Sequence, residues 1–227
     1  MTRACDPSPA QVHAAAAAEQ LYRPWIVRVV SELSDAGPIH RRQLAAALPD
    51  LSATTRDYAM GIAARHRLLL YTEATTPSAY VLTDAGEELA DFYHAAARWA
   101  RTHHYPAQES TFVSRAGATV WLLSDPEVHL LLGHSTTTLP LGLGRRLDRP
   151  ATEQTNSLVT SRVAQPHPEG GWELGPAGAA LRAVATSLQN WAAAHHTVPP
   201  IPPQVAAARR TAPATSPPQA VSLRRAA

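Results

Sequence analysis

The sequence predicts a mainly α-helical chain with small β-hairpins, an α+β fold built as two tandem copies of one unit arranged as an internal pseudo-dimer. Three observations carry that prediction. The stretch from Tyr80, YVLTDAGEELADFYHAAARWARTHH, returns from Trp172 as WELGPAGAALRAVATSLQNWAAAHH. At a constant shift of 92, Leu82 falls on Leu174, Ala85-Gly86 on Ala177-Gly178, Leu89 on Leu181, Trp99-Ala100 on Trp191-Ala192 and His103-His104 on His195-His196. A fixed internal period is the mark of a repeated structural unit. Secondly, apolar residues recur at helical spacing along much of the chain, while the strand-like runs LLLYTE and AYVLT are short. Thirdly, 227 residues with 45% apolar content can fill two small cores.

Composition removes several function classes. No apolar run approaches the roughly 18–20 residues of a membrane span, and the N-terminus lacks a charged-then-apolar signal. The single cysteine, Cys5, leaves no internal disulfide framework, which suits a reducing cytoplasm. A cytoplasmic location with no membrane partner is therefore expected. Formal charge is only +2, yet every basic residue among the 20 is arginine, a bias that a GC-rich genome explains as well as function does. The sequence pI near 9.0 permits an anionic partner without demanding one.

Along the first copy, residues 1–7 read as a flexible terminus, and Ser8-Pro9-Ala10-Gln11 opens a helix with an N-cap serine, proline at the first helical position and glutamine at the third. That helix runs to about Leu21. Pro24 starts another, with Ile26, Val27, Val30 and Leu33 at helical spacing, and Gly37-Pro38 ends it. His40 to Leu48 reads as a short amphipathic helix, Pro49-Asp50 as a turn, and Ser52 as the cap of a helix reaching about His66. The two short strands follow. Thr83 then caps a long helix with Asp84, Glu87 and Glu88 at its positive end and Ala85, Leu89, Phe92, Ala96 and Trp99 as its apolar stripe.

Helix, helix, turn, helix, hairpin, helix is the order of a winged helix-turn-helix domain. Residues 24–104 resemble the HxlR type of winged-helix transcriptional regulator within the MarR-like group. The matching stretches are PWIVRVVSEL, GPIHRRQLAAALPDLS and YVLTDAGEEL, the last carrying the Leu82-Thr83, Gly86, Leu89 pattern found across winged-helix families. The resemblance implies that the Ser52-capped helix enters the DNA major groove, with Ser52, Thr54, Thr55 and Tyr58 facing DNA and Arg41 and Arg42 neutralising phosphates. Arg56 stands where the family commonly has an apolar residue, so the buried face could use either Ala59 with Ile62 or Met60 with Ala63. Ser78 stands near the wing tip, where a basic residue is common in the family.

The second copy is expected to form a degenerate winged-helix domain over 107–196, after a DNA-reading domain over 8–106. Leu123 to Val128 echoes Leu21 to Ile26 at a shift of 102, so the second copy is ten residues shorter between its anchors. The loss falls at STTTLPLGLGRRL, where Pro140, Gly142 and Gly144 disfavour a helix and Leu139, Leu141 and Leu143 alternate like a strand. Its counterpart of the reading helix, ATEQTNSLVTSR, is short and holds one arginine. Residues 197–227 hold seven prolines, two Arg-Arg pairs and no acid, the composition of a disordered tail.

No catalytic, cofactor-binding or metal-ligating set emerges. Cys5 precedes Asp6, whose charge raises a thiol pKa, so an inert thiol is expected. Adjacent histidines on a helix point about 100° apart and lie outside zinc-motif spacing, so 103–104 and 195–196 are expected to cap helix ends. Gly142-Leu-Gly144 lacks the rest of a dinucleotide fingerprint. The expectation is a non-enzymatic regulator that binds double-stranded DNA, with room for a small-molecule effector. It would be a monomeric pseudo-dimer or a homodimer. The competing expectation is a non-catalytic tandem protein that holds a small molecule or protein partner in the cleft between its heads.

Overall fold

Ser8 opens the first helix as the sequence predicts. Its hydroxyl accepts from the Gln11 amide at 3.3 Å, and the Gln11 side chain accepts from the Ser8 amide at 2.7 Å. This reciprocal box starts α1 (Pro9–Leu21) in a computed structural model that describes residues 6–73, 78–106, 111–134, 139, 147–148 and 152–196. Pro24 starts α2 (Pro24–Ala36), and Gly37, at φ 73, ends it in a conformation that glycine tolerates.

The segment expected to be one helix from His40 to Leu48 divides instead. Ile39 and His40 form β1 (Ile39–His40), Arg41–Gln43 make a single 3-10 turn, and only α3 (Leu44–Ala47) is α-helical. Ile39 pairs with Tyr80 and buries its side chain, so the sheet claims the backbone at the point where the helix would begin. Then come α4 (Ala53–Arg65), β2 (Leu69–Thr72), β3 (Ala79–Leu82) and α5 (Asp84–Thr102). The three strands are antiparallel in the order β1-β3-β2. The second half holds α6 (Phe112–Leu122), α7 (Pro126–Gly133), α8 (Glu153–Thr160), the hairpin β4 (Ala164–Pro166) and β5 (Trp172–Leu174), and α9 (Pro176–His195). The chain is mainly helical with two small antiparallel sheets, the α+β class that the sequence predicts.

The Leu-Thr-x-x-Gly pattern has a steric cause. Thr83 accepts from the Gly86 amide at 3.2 Å, donates its hydroxyl proton to Arg67 O at 2.6 Å, and donates its amide to Leu68 O at 3.0 Å. That seats the first turn of α5 directly on the Leu68 carbonyl, where a Cβ on residue 86 would lie 2.0 Å from the oxygen. Gly178 repeats the contact against Val163 O at 2.3 Å. Ahead of each hairpin the preceding helix ends on an arginine in the left-handed region, Arg67 at φ 57 and Arg162 at φ 58. The next amide reaches back five residues in both, Leu68 to Ala63 O and Val163 to Leu158 O, each at 2.9 Å. This wiring recurs at a shift of 95 before the hairpin and 92 after it, so the hairpin accounts for three residues of difference. Of the Leu139, Leu141, Leu143 alternation, Leu139 donates its amide to Trp172 O at 2.7 Å, matching Ile39 beside Tyr80; residues 140–146 lie outside the described residues.

One buried cluster runs from α1 to α9. The long helices α5 and α9 pack on each other, while α1 lies against α9 and α6 against α5, so each first helix packs on the last helix of the other half. Trp99 donates its indole N–H to Ala177 O at 2.9 Å, and Trp191 donates to Ala85 O at 2.8 Å. At the 92-residue shift these two bonds are one bond written twice, the reciprocity expected of a two-fold contact. Tyr93, fully buried, donates its hydroxyl to Leu21 O at 2.9 Å and ties α5 to α1.

Candidate nucleic-acid interface

Helix α4 is positioned by its buried face. Ala59, Met60 and Ala63 are buried and Ile62 is half-buried, so the alternative left open by the sequence resolves mainly on Met60 and Ala63, with Ala59 shared. Arg56, anomalous among apolar expectations, sits at the edge of that face and donates to Leu51 O at 2.7 Å and Leu48 O at 3.4 Å. It thereby supplies a donor to the Leu51 carbonyl and a second, longer one to the Leu48 carbonyl, which also accepts from the Leu51 amide at 3.2 Å. Arg28 supports the same turn from α2, donating to Ala47 O at 3.1 Å and pairing with Asp50 at 3.3 Å.

The opposite face of α4 is exposed, and Thr54, Asp57, Tyr58, Gly61 and Arg65 follow one another there at three- and four-residue steps. Tyr58 is 59% exposed and meets the Trp25 ring edge-on at 5.2 Å, which holds a large amphipathic ring upright on the surface. Of the residues expected to face DNA, Thr54 and Tyr58 do lie on this face. Ser52 and Thr55 are engaged with each other: the Ser52 oxygen accepts from the Thr55 amide at 3.1 Å, and their hydroxyls meet at 2.8 Å. That pair caps α4, so its hydrogen-bonding capacity is partly spent on the helix start.

Arg41 and Arg42 are both exposed in the 3-10 turn ahead of α3. A groove of about 390 Å³ is lined by Arg41 of this turn, Arg56, Asp57 and Gly61 of α4, and Tyr80 of β3. Asp57 and Arg41 thus share one groove. His66, at the end of α4, titrates below its ordinary range because burial and then the neighbouring Arg65 disfavour its charged form. Arg65 and Arg67, both exposed, are fixed charges at that end. On the edge strand β2, Leu70 and Tyr71 are exposed, and Tyr71 packs on Tyr80 at 4.9 Å. Ser78 is half-buried with its carbonyl 3.3 Å from His40 Nδ1; residues 74–77 lie outside the described residues.

The counterpart helix α8 differs in each respect. It spans eight residues against thirteen, contains no basic side chain, and exposes Glu153, Asn156 and Thr160. Its N-cap Thr152 donates to Asp125 at 2.7 Å, which binds its start to α7. The histidine pairs do more than cap. His195 meets Glu88 at 2.8 Å across the α5–α9 seam, and His104 takes the left-handed conformation at φ 53. Among the described residues no group of three or more His, Cys, Asp or Glu is placed to hold a metal ion, and no helix is long and apolar enough to cross a membrane. Cys5 and residues 197–227 lie outside the described residues.

Sequence reasoning missed Asp57 and Arg65, although both follow from Thr54 by helical spacing. It had no signal for the task of Arg56, whose partners are backbone carbonyls. No protein-family model, curated protein or solved structure matches this chain.

Proposed function

We propose that the chain is a DNA-binding transcriptional regulator made of two tandem winged-helix heads folded as an internal pseudo-dimer, with the first head reading DNA through α4. One observation carries the DNA reading. A capped helix, docked by its small apolar face, offers a free face of Thr54, Tyr58 and Arg65 beside an exposed arginine pair. A helix so presented suits the major groove, where hydroxyls and a tyrosine contact base edges and phosphates while arginines supply the salt-dependent attraction. The reciprocal Trp99 and Trp191 bonds support the pseudo-dimer. A chain that closes this contact internally presents one strong reading face, because α8 is shorter and carries no cation.

The test is fluorescence anisotropy on promoter fragments at several salt concentrations. Arg41→Ala with Arg42→Ala should weaken binding to all sequences and flatten the salt slope by about one unit for each phosphate contact removed. Both side chains are exposed, so thermal stability should hold. Unchanged affinity and slope in a folded double variant would refute the assignment.

A further inference from the structure

After α5 the chain turns through His104, Tyr105 and Pro106 across α6 and α8 and leaves a cavity of about 450 Å³ that opens to solvent on one side. Trp121 of α6 and Tyr105 form its aromatic walls, and Glu153, Ser157, Thr160 and Ser161 of α8 form its polar wall. The volume lies within the range of small-molecule sites. The equivalent of His104 in the other half is His196, 92 residues later. His196 is buried, with Nδ1 3.2 Å from His13 Nε2 and Nε2 3.3 Å from the Gln20 side chain, and its carbonyl accepts from His13 Nε2 at 2.6 Å. His196 is thus tied to α1, whereas His104 lines a cavity.

The cavity wall is built firmly. Asp125 accepts from the Glu127 amide at 2.8 Å and from the Thr152 hydroxyl at 2.7 Å, and Gln154 donates to Ser124 at 3.3 Å. These bonds anchor the start of α8, where Glu153 stands. The polar wall also has a direction. Thr160 donates its hydroxyl proton to the carbonyls of Asn156 and Ser157 (3.3 and 3.2 Å), and Ser161 donates to Ser157 O at 2.5 Å. With those protons spent on helix carbonyls, Thr160 and Ser161 offer the cavity lone pairs, while the Ser157 hydroxyl is hydrogen-bonded to the Tyr105 phenol. The ionisable side chains of the lining are the Glu153 carboxylate, the His104 imidazole and the Tyr105 phenol, with no arginine. Burial, more than the nearby Glu153 charge, raises the Tyr105 phenol above its ordinary range, so that ring stays neutral.

We infer that this cavity binds a small arylalkylamine, its aromatic ring on Trp121 and Tyr105 and its ammonium toward Glu153 and the hydroxyl oxygens of α8. Aromatic faces attract a cation, and a carboxylate strengthens the hydrogen bond that the cation donates. An anion would meet lone pairs and a like charge. The site stands apart from the α4 face and does not depend on the DNA reading.

Three probes with one ring and three charges test it by calorimetry on the full chain: tryptamine, tryptophol and indole-3-acetate. Tryptamine should bind with one-to-one saturation about tenfold more tightly than tryptophol, and indole-3-acetate should bind weakest. Glu153→Gln, on an exposed side chain, should bring tryptamine to within about twofold of tryptophol. Ala118→Leu, which fills the cavity from α6, should abolish binding of all three while circular dichroism shows the fold retained; Trp121→Leu serves the same purpose should Ala118→Leu unfold. Absence of saturable tryptamine binding, equal binding of indole-3-acetate, or a charge preference that survives Glu153→Gln would each overturn the inference.

Discussion

Trp99 and Trp191 are 5% and 4% exposed, and each sends its indole N–H to a backbone carbonyl at the start of the opposite long helix. Replacing either by alanine removes a buried ring and leaves a cavity, a change that typically costs about 3–5 kcal/mol. The hydrogen bond is the smaller part. Ala85 O and Ala177 O also lie within helical ladders, so the indole occupies a second lone pair, and its loss should cost about 1 kcal/mol. Trp→Phe, which keeps most of the ring, should therefore cost much less than Trp→Ala. For a chain of this size each kcal/mol moves Tm by roughly 2–4 °C. Each alanine variant should melt roughly 10 °C or more below the parent in one cooperative transition, since both rings belong to one core. The sequence alone left open whether the two tryptophans touch. In the structure each ring bonds fourteen residues along the repeat from its counterpart's acceptor, a span of about 21 Å at helical rise. Their effects should accordingly add, with the double variant near the sum of the singles. Urea denaturation followed by circular dichroism gives both quantities. Two separate transitions, or a double variant costing clearly less than the sum, would refute the picture of two independent bonds at opposite ends of one seam.

Two further expectations concern glycine and pH. Gly86→Ala drives a Cβ to 2.0 Å from a backbone oxygen that cannot yield, and should cost about 3 kcal/mol or more. Gly61→Ala meets nothing within 4 Å in a helix interior and should stabilise by about 0.5–1 kcal/mol, so equal effects from the two in chemical denaturation would contradict the steric account. Burial, then the charges of His13 and His66, lowers His196 to about 4, and burial lowers His129 as well. The unfolded chain takes up these protons near the ordinary value of 6.5 while the folded chain resists, so stability is full above that value and falls as pH drops toward 4. His196→Gln should flatten that part of a Tm-against-pH series; an unchanged slope would show that the loss arises elsewhere.

What the sequence determined by itself was everything local or periodic. The Ser8, Ser52 and Thr83 caps, the starts of α1, α2, α4 and α5 and the duplicated long helix depend on side chains within a few residues of the backbone they serve. The outward placement of Thr54 and Tyr58 came from the family resemblance, since helical spacing left the buried face of α4 open, and both side chains are exposed. Tertiary structure decided the rest. The start of the His40–Leu48 segment went to β1 because β3, distant in sequence, supplied strand partners, Ala79 for His40 and Tyr80 for Ile39. Arg56 bonds the Leu51 carbonyl at 2.7 Å, a partner that its place in the helix pattern does not name. Ser52 and Thr55 bonded each other, which no residue count reveals. The repeat announced that two long helices existed, but only packing showed that each first helix crosses to the other half's last helix. The contact of α1 with the end of α9 joins residues as far apart as His13 and His196, 183 positions, where neither propensity nor period carries information and shape complementarity between buried faces decides.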